Sequence, residues 1–358
     1  MATTDYPVNH PSAVKLWSEK LYRESLKRTY MSKFIGDSAS SIIQRKNNTQ
    51  KSAGDKITCT LRMQLSGDGV AGDSTLEGNE EALTTYTDSL FIDQVRHAVR
   101  SSGKMSDQRV SWDVREEAMD ALADWQANMI DTALFNQLSG NTGESQTKKT
   151  GSNATVAPST NRIYYANGLA NETQVASASA SNVFKLKFID YAVEKAKTAS
   201  PTIRPLKING EDKYVCFLHP YQVTSLRTDA STAGNWYDIQ KAAMQGGDVS
   251  KNPIYTGALG EYNNTILFES TRVPLTTALG GSSTDGTYRA IFCGAQSAMI
   301  AFGQRYNGVE SNLWKEETFD YGNQLGVATG LIWGAKKSIF NSEDFGTIVL
   351  ATYAAKAF

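Results

Sequence analysis

The chain has 358 residues, with 36 Lys plus Arg against 37 Asp plus Glu and a formal charge of −1 at pH 7; that length holds two to three domains or one elaborated one, and 16 Tyr, 13 Phe and 6 Trp supply anchors that disordered chains lack. The charge balance leaves no overall field to recruit polyphosphate or an anionic bilayer, which argues against a dedicated DNA-binding protein. No run of apolar residues is long enough to span a bilayer and the first residues lack a basic-then-apolar signal pattern, so the expectation is a product that stays in the compartment where it is made.

Residues 11–34 carry apolar side chains at helical steps, Val14, Trp17 and Leu21, then Tyr22, Leu26, Tyr30 and Phe34, after Pro11 and Ser12. They predict an amphipathic helix that bends around a partner or breaks in two. Across residues 15–51 nine basic side chains stand against Glu19, Glu24 and Asp37, a net charge of +6. In 56–65, Ile57, Cys59, Leu61, Met63 and Leu65 alternate with polar residues, the signature of a half-buried strand. Residues 66–93 then hold seven carboxylates and no Lys or Arg, a net of −7. A strand-like run over 90–99 is expected to pair back with the first strand as a long hairpin.

The strongest helical pattern covers 105–138, through Ala118, Leu122, Trp125, Met129, Ala133 and Leu138 without internal Pro or Gly, and Ser139 with Gly140 supplies its stop. Such a helix is a rod of about 45–50 Å. Residues 140–182, rich in Ser, Thr, Asn and Gly, read as a solvent-facing excursion. A helix over 183–199 precedes Pro201 and Pro205. The apolar run 214–218 predicts a buried strand ending at His219, and Pro220 suits the first position of a following helix. Further strands are expected at 265–269, 290–293 and 297–302, with an antiparallel closing pair, 326–339 and 347–353, around a polar turn at 341–344.

Little in the chain promises catalysis. Gly67, Gly69 and Gly72 match the G-x-G-x-x-G spacing, but no helical pattern opens after them and carboxylates stand where a pyrophosphate would lie, so a flexible hairpin tip is the better reading. Cys59, Cys216 and Cys293 lie far apart in strand-like segments and read as reduced thiols. His10, His97 and His219 form no helical metal pair, and Glu116, Glu117 and Asp120 read as the solvated face of the long helix.

The order of these parts resembles a known family. The arm residues Lys15-Leu16-Trp17-Ser18, Asp55-Lys56-Ile57 leading the hairpin, Gly78-Asn79-Glu80-Glu81 after its tip and Tyr214-Val215-Cys216-Phe217-Leu218-His219-Pro220 are similar to the tailed-phage major capsid proteins of the HK97-type fold. So is the ending Gly330-Leu331-Ile332-Trp333-Gly334-Ala335-Lys336-Lys337 to Asp344-Phe345-Gly346, and the phage N4-type capsid family is the group it resembles. Residues 140–182 depart from the family pattern. The resemblance implies an α+β fold with an N-terminal arm at 1–50, an extended hairpin at 51–103, a peripheral domain with the spine helix at 104–200, an axial domain at 201–312 and closing strands of the peripheral domain at 313–358.

It also implies a major capsid protein that assembles into hexamers and pentamers of an icosahedral shell enclosing double-stranded DNA without reading its sequence. The implied partners are further copies of the chain, with portal, scaffolding or decoration proteins beside them and no membrane. The implied place is the virion after synthesis in the host cytoplasm, with no catalytic residue, metal or cofactor. The rivals are a nanocompartment (encapsulin-like) shell and, from another class, a cytosolic nucleotide-dependent enzyme using the Gly67 to Gly72 loop. The charge blocks add an expectation of their own: Lys27, Arg28 and Lys33 on one copy meet Glu77, Glu80 and Glu81 on the next.

Overall fold

The computed structural model describes residues 29–46, 55–62, 65, 67, 69–111, 113–143, 150–177, 181–208, 210–228, 259–275, 286–303 and 313–355. Most of the helix expected over 11–34 lies outside them. Its last turn, Tyr30–Phe34, is a 3-10 turn and not α-helix, and the chain leaves it extended through β1 (Ile35–Gly36) and β2 (Ile43–Lys46).

The alternating segment forms β3 (Lys56–Arg62), paired antiparallel with β4 (Thr85–Phe91) in the register Lys56↔Phe91 to Arg62↔Thr85. The expected single return strand over 90–99 is corrected here. Only Leu90 and Phe91 of it pair with β3; the ladder stops after Ile92, whose N–H donates to Asp55 O, and β5 (Asp93–Arg100) belongs to another sheet. A break of one residue lets the next residues turn toward a new partner.

The helical stretch is two helices, α1 (Lys104–Arg109) and α2 (Val114–Ser139), with extended Val110 between them. Asp113 caps α2 by accepting from the Arg115 N–H, and Glu116 and Glu117 follow in the first turn, an N-terminal pattern that favours a fresh start. At 26 residues α2 is about 39 Å long, shorter than expected. Gly140 ends it in the left-handed region at φ 61. A Cβ there would meet Pro158 Cδ at 2.6 Å and Val156 O at 2.7 Å, so glycine is required twice over.

The rest follows as β6 (Ile163–Tyr165), α3 (Glu172–Ser177), α4 (Leu186–Thr198), β7 (Leu206–Ile208), β8 (Glu211–Leu218) and α5 (Pro220–Thr228). Then come β9 (Glu261–Tyr262), β10 (Thr265–Glu269), β11 (Gly286–Cys293), β12 (Ala298–Phe302), β13 (Leu313–Phe319), β14 (Gln324–Lys337), β15 (Ile339–Phe340), β16 (Glu343–Asp344) and β17 (Thr347–Ala354). A seven-stranded sheet runs β6-β17-β11-β8-β10-β9 with β7 on β8; a six-stranded sheet runs β1-β2-β12-β14-β13 with β5 on β14.

The seven-stranded sheet is covered on both faces, which explains the unbroken apolar run of β8. Tyr214, Cys216 and Leu218 pack with Phe184, Phe188, Ala192 and Leu226 of the helical side. Val215 and Phe217 point the other way, into a second core with Phe135 and Leu138 of α2, Ile300 of β12, Trp333 of β14 and Met31 of the arm. At about 25 cal/mol per Å², this two-sided burial dominates the stability of the sheet.

Two further expectations change. The closing strands do not pair with each other: β14 lies among β13, β12 and β5, whereas β17 is inserted between β11 and β6. The turn at 341–344 instead joins the small β15–β16 ladder, with Asn341 and Ser342 both at positive φ. Nor is 140–182 a solvent-facing excursion: Thr150, Asn153, Arg162, Val175 and Asn182 are buried, and β6 extends the seven-stranded sheet. The seven-stranded sheet draws strands from 163–165, 206–218, 261–269, 286–293 and 347–354.

Candidate functional site

Residues with catalytic chemistry are locked into packing. Cys216 and Cys293 are buried on opposite faces of the sheet, and burial pushes both thiols up. Cys59 is a free, half-buried thiol. His219 stacks on Tyr288 at 4.2 Å between ring centroids, accepts from the Tyr221 N–H through Nδ1 at 3.3 Å, and is held down to about 4 by burial. Among the described residues no group of three His, Cys, Asp or Glu side chains could hold a metal ion. Gly67 opens no helix: its N–H donates to Glu81 Oε2 at 2.7 Å, within an exposed loop. Glu116 and Glu117 are exposed on α2.

What the fold builds instead is a rigid frame with a projecting loop. The base of the β3–β4 hairpin is fixed three ways. Ile57 and Leu90 pack on Met299 and Ala301 of β12. The buried Asn153 amide donates to Phe91 O at 2.7 Å and accepts from Phe91 N at 2.9 Å, completing the strand edge as a backbone would. Buried Asp88 pairs with Lys336 of β14 and accepts from Ile339 N at 3.1 Å. Asp88 thus leaves the acidic surface block that it was expected to join. Beyond the ladder, residues 71–84 are all exposed, including Leu76 at 61% and Leu83 at 60%, with Glu77 among them. Bonds that shape the loop include Gly78 N to Glu80 Oε2 at 2.8 Å.

The arm leaves the frame through a buried carboxylate. Asp131 on α2 accepts from the N–H groups of Tyr30 at 2.6 Å and Met31 at 2.9 Å and faces Arg272 at 3.2 Å. Burial lifts its carboxyl above the ordinary range, opposed by those same hydrogen bonds. Arg272 also donates to Asn128 Oδ1. Lys33 is exposed, its Nζ 4.3 Å from the Tyr30 ring centroid and 4.7 Å from that of Phe268, a cation–π seat. Of the six expected contact residues, the fold sets Glu77, Glu80 and Glu81 together on the loop and Lys33 at the arm exit. Lys27 and Arg28 lie outside the described residues.

Besides Asp88 with Lys336, three further buried ion pairs among the described residues tie the frame together and were missed in the sequence. Arg289 of β11 meets Glu172 at 2.5 Å and also donates to Ser139 O and Gly140 O at the end of α2, where a cation complements the helix dipole. Lys337 meets Asp344 at 2.8 Å, with burial pulling the amine down and the carboxyl up. Asp131 with Arg272 is the third. The available signal was a charged residue on an apolar row: Asp131 stands between Ile130 and Leu134 in a helical stripe.

A frame without a catalytic cluster, carrying a fixed arm exit and a long exposed loop, fits a subunit completed by neighbours. The phage capsid protein family matches residues 5–356. The chain belongs to that family. The major capsid protein of Pseudomonas phage KPP25 is 30% identical over 93% of each chain, and the Ralstonia phage GP4 capsid superposes with a TM-score of 0.80 at 35% identity over the whole of both chains. The cyanophage Pam1 capsid shares the fold at a TM-score of 0.76 and 23% identity, over 99% of this chain and 100% of that one. This capsid protein has the HK97-type α+β fold, and it is a shell-forming structural subunit of a phage. These matches favour the phage shell over the nanocompartment, and the Gly67 loop, opening no helix, speaks against the nucleotide-dependent enzyme.

Proposed function

We propose that the capsid protein forms hexamers and pentamers of an icosahedral shell around double-stranded DNA, and that its acidic hairpin loop reaches the basic arm of a neighbouring copy. The observation that carries this reading is the loop itself: residues 71–84 are exposed throughout, with carboxylates and large apolar side chains among them, on a base fixed by three separate contacts. A connection this long without secondary structure is uncommon unless it serves a contact. Lys27, Arg28 and Lys33 facing Glu77, Glu80 and Glu81 supply the charge match. Exposed pairs contribute only about 0–1 kcal/mol each, but a shell repeats them at every subunit. Near-neutral net charge suits a wall that confines DNA by closure, without sequence reading. Portal, scaffolding or decoration proteins are its further partners, and synthesis takes place in the host cytoplasm before incorporation into the virion.

The lobes follow the sheets in this reading. The seven-stranded sheet with α3, α4 and α5 is the axial lobe, and the six-stranded sheet with α2 is the peripheral lobe. Electron microscopy and sedimentation of the purified protein test the shell. Changing Glu77, Glu80 and Glu81 to Lys is expected to slow assembly at least about tenfold at low salt, less at high salt because of screening, with rescue by changing Lys27, Arg28 and Lys33 to Glu. Unchanged assembly of the triple variant across salt concentrations would refute the charge pairing.

A further inference from the structure

Arg162 closes the short 3-10 turn that leads into β6, and its side chain has no exposed surface. A guanidinium cannot shed its proton and offers only donors, so burying one is costly unless those donors are met. Here Nη2 donates to Pro201 O at 2.6 Å. Nε lies 3.6 Å from Glu343 Oε2, too far for a hydrogen bond. Among the described residues nothing accepts from Nε or Nη1.

The neighbouring acids are already engaged. Glu343 accepts from Asn161 Nδ2 at 2.8 Å. Asp344 is paired with buried Lys337 at 2.8 Å and accepts from the Ser159 N–H at 3.3 Å. Lys195 of α4 is half-buried and belongs to no ion pair among the described residues. Burial, and after it the charge of Arg162, pulls the Lys195 amine below the ordinary lysine range, against Glu343. Burial also pulls the Arg162 guanidinium down, against Glu343 and Asp344. With Lys337 and Asp344 cancelling, two cations stand against the single carboxylate of Glu343, an excess of one positive charge.

We propose that Arg162 and Lys195 bind a small inorganic anion, chloride by its size, which accepts from Arg162 Nη1 and Lys195 Nζ. Charge-assisted hydrogen bonds of this kind are the strong ones. Water would satisfy a donor, but being neutral it leaves the excess charge in place. Oxyanions such as phosphate need more room than a guanidinium without exposed surface leaves, whereas a halide is compact and accepts donors from any direction. The bound anion joins the entry of β6, the end of α4 through Lys195 and the β15–β16 turn through Glu343, so the stability of the subunit is linked to chloride concentration.

The full-length chain carries the test. Crystals grown in sodium bromide are expected to show an anomalous peak within hydrogen-bond reach of Arg162 Nη1. At fixed ionic strength, replacing gluconate, which is too large for the site, by chloride is expected to raise the melting temperature by at least about 2 °C, because the anion binds the folded chain alone. Lys195→Met is expected to keep the fold and weaken the fitted chloride affinity at least fivefold, while Lys197→Met, on an exposed position of the same helix, leaves it unchanged. Water alone beside Arg162, or an unchanged chloride response in Lys195→Met, would overturn the site. A bromide peak without any chloride response in melting would be binding at crystal concentration only, and would overturn it too.

Discussion

Single residues in this protein are informative where their environment opposes their chemistry. His219 follows the buried half of β8, Tyr214 to Leu218, and precedes Pro220, and its ring is stacked on Tyr288 with Tyr221 edge-on at 4.6 Å. Burial lowers it from 6.5 to about 4, so the folded chain refuses a proton that the unfolded chain binds. Its contribution to stability is therefore complete above pH 6.5 and is lost as the pH falls toward 4. Urea titrations across that range are expected to show a loss of about 1–3 kcal/mol assignable to this group, and His219→Phe, which keeps a ring on Tyr288, should flatten the profile. An equal slope in the variant would assign the pH dependence to other groups. The sequence put His219 at a strand end before a helix, and that is where it stands; its stack on Tyr288 joins residues 69 positions apart and had no local signal.

Among elements, the local signals were legible and the partners were not. Alternation in 56–62, Pro220 at a helix start and Gly140 at a helix end are short-range physics, and each is found in the fold. Asp113 was an equally local sign, a helix cap inside the apolar pattern, yet the continuous spacing around it reads as one rod. Partner choice is different, because a strand bears the same alternation whichever strand it meets. The β5 and β17 ladders were assigned to the wrong neighbours for that reason. Buried charges belong here as well. Arg289 joins β11, the Glu172 side chain and the carbonyls ending α2, so Arg289→Met leaves Glu172 buried without its partner. The expected cost is about 3–5 kcal/mol in chemical denaturation, largely recovered when Glu172→Leu is added. If the double variant is as unstable as the single one, the helix-end hydrogen bonds carry the energy and not the ion pair.

For the whole molecule, the last strand decides whether the subunit closes. β17 sits between β11 and β6, and Ile348, Val349, Leu350 and Ala351 are fully buried, so removing residues 345–358 should abolish cooperative thermal melting, monitored by circular dichroism. A truncated chain that still melts cooperatively would mean the remaining sheet is self-sufficient. The sequence by itself determined the order of the elements, the charge blocks near both arms, the lack of a catalytic signature and the family resemblance, because composition, periodicity and short motifs are properties of neighbouring residues. Only the tertiary structure decided that Arg162, Val175 and Asn182 are packed inside the fold and that Asp88 is spent on Lys336. It alone joined 163–165 to 347–354. Those outcomes depend on which distant surfaces meet, and burial energy rewards any apolar match of the right shape without recording the choice in local sequence.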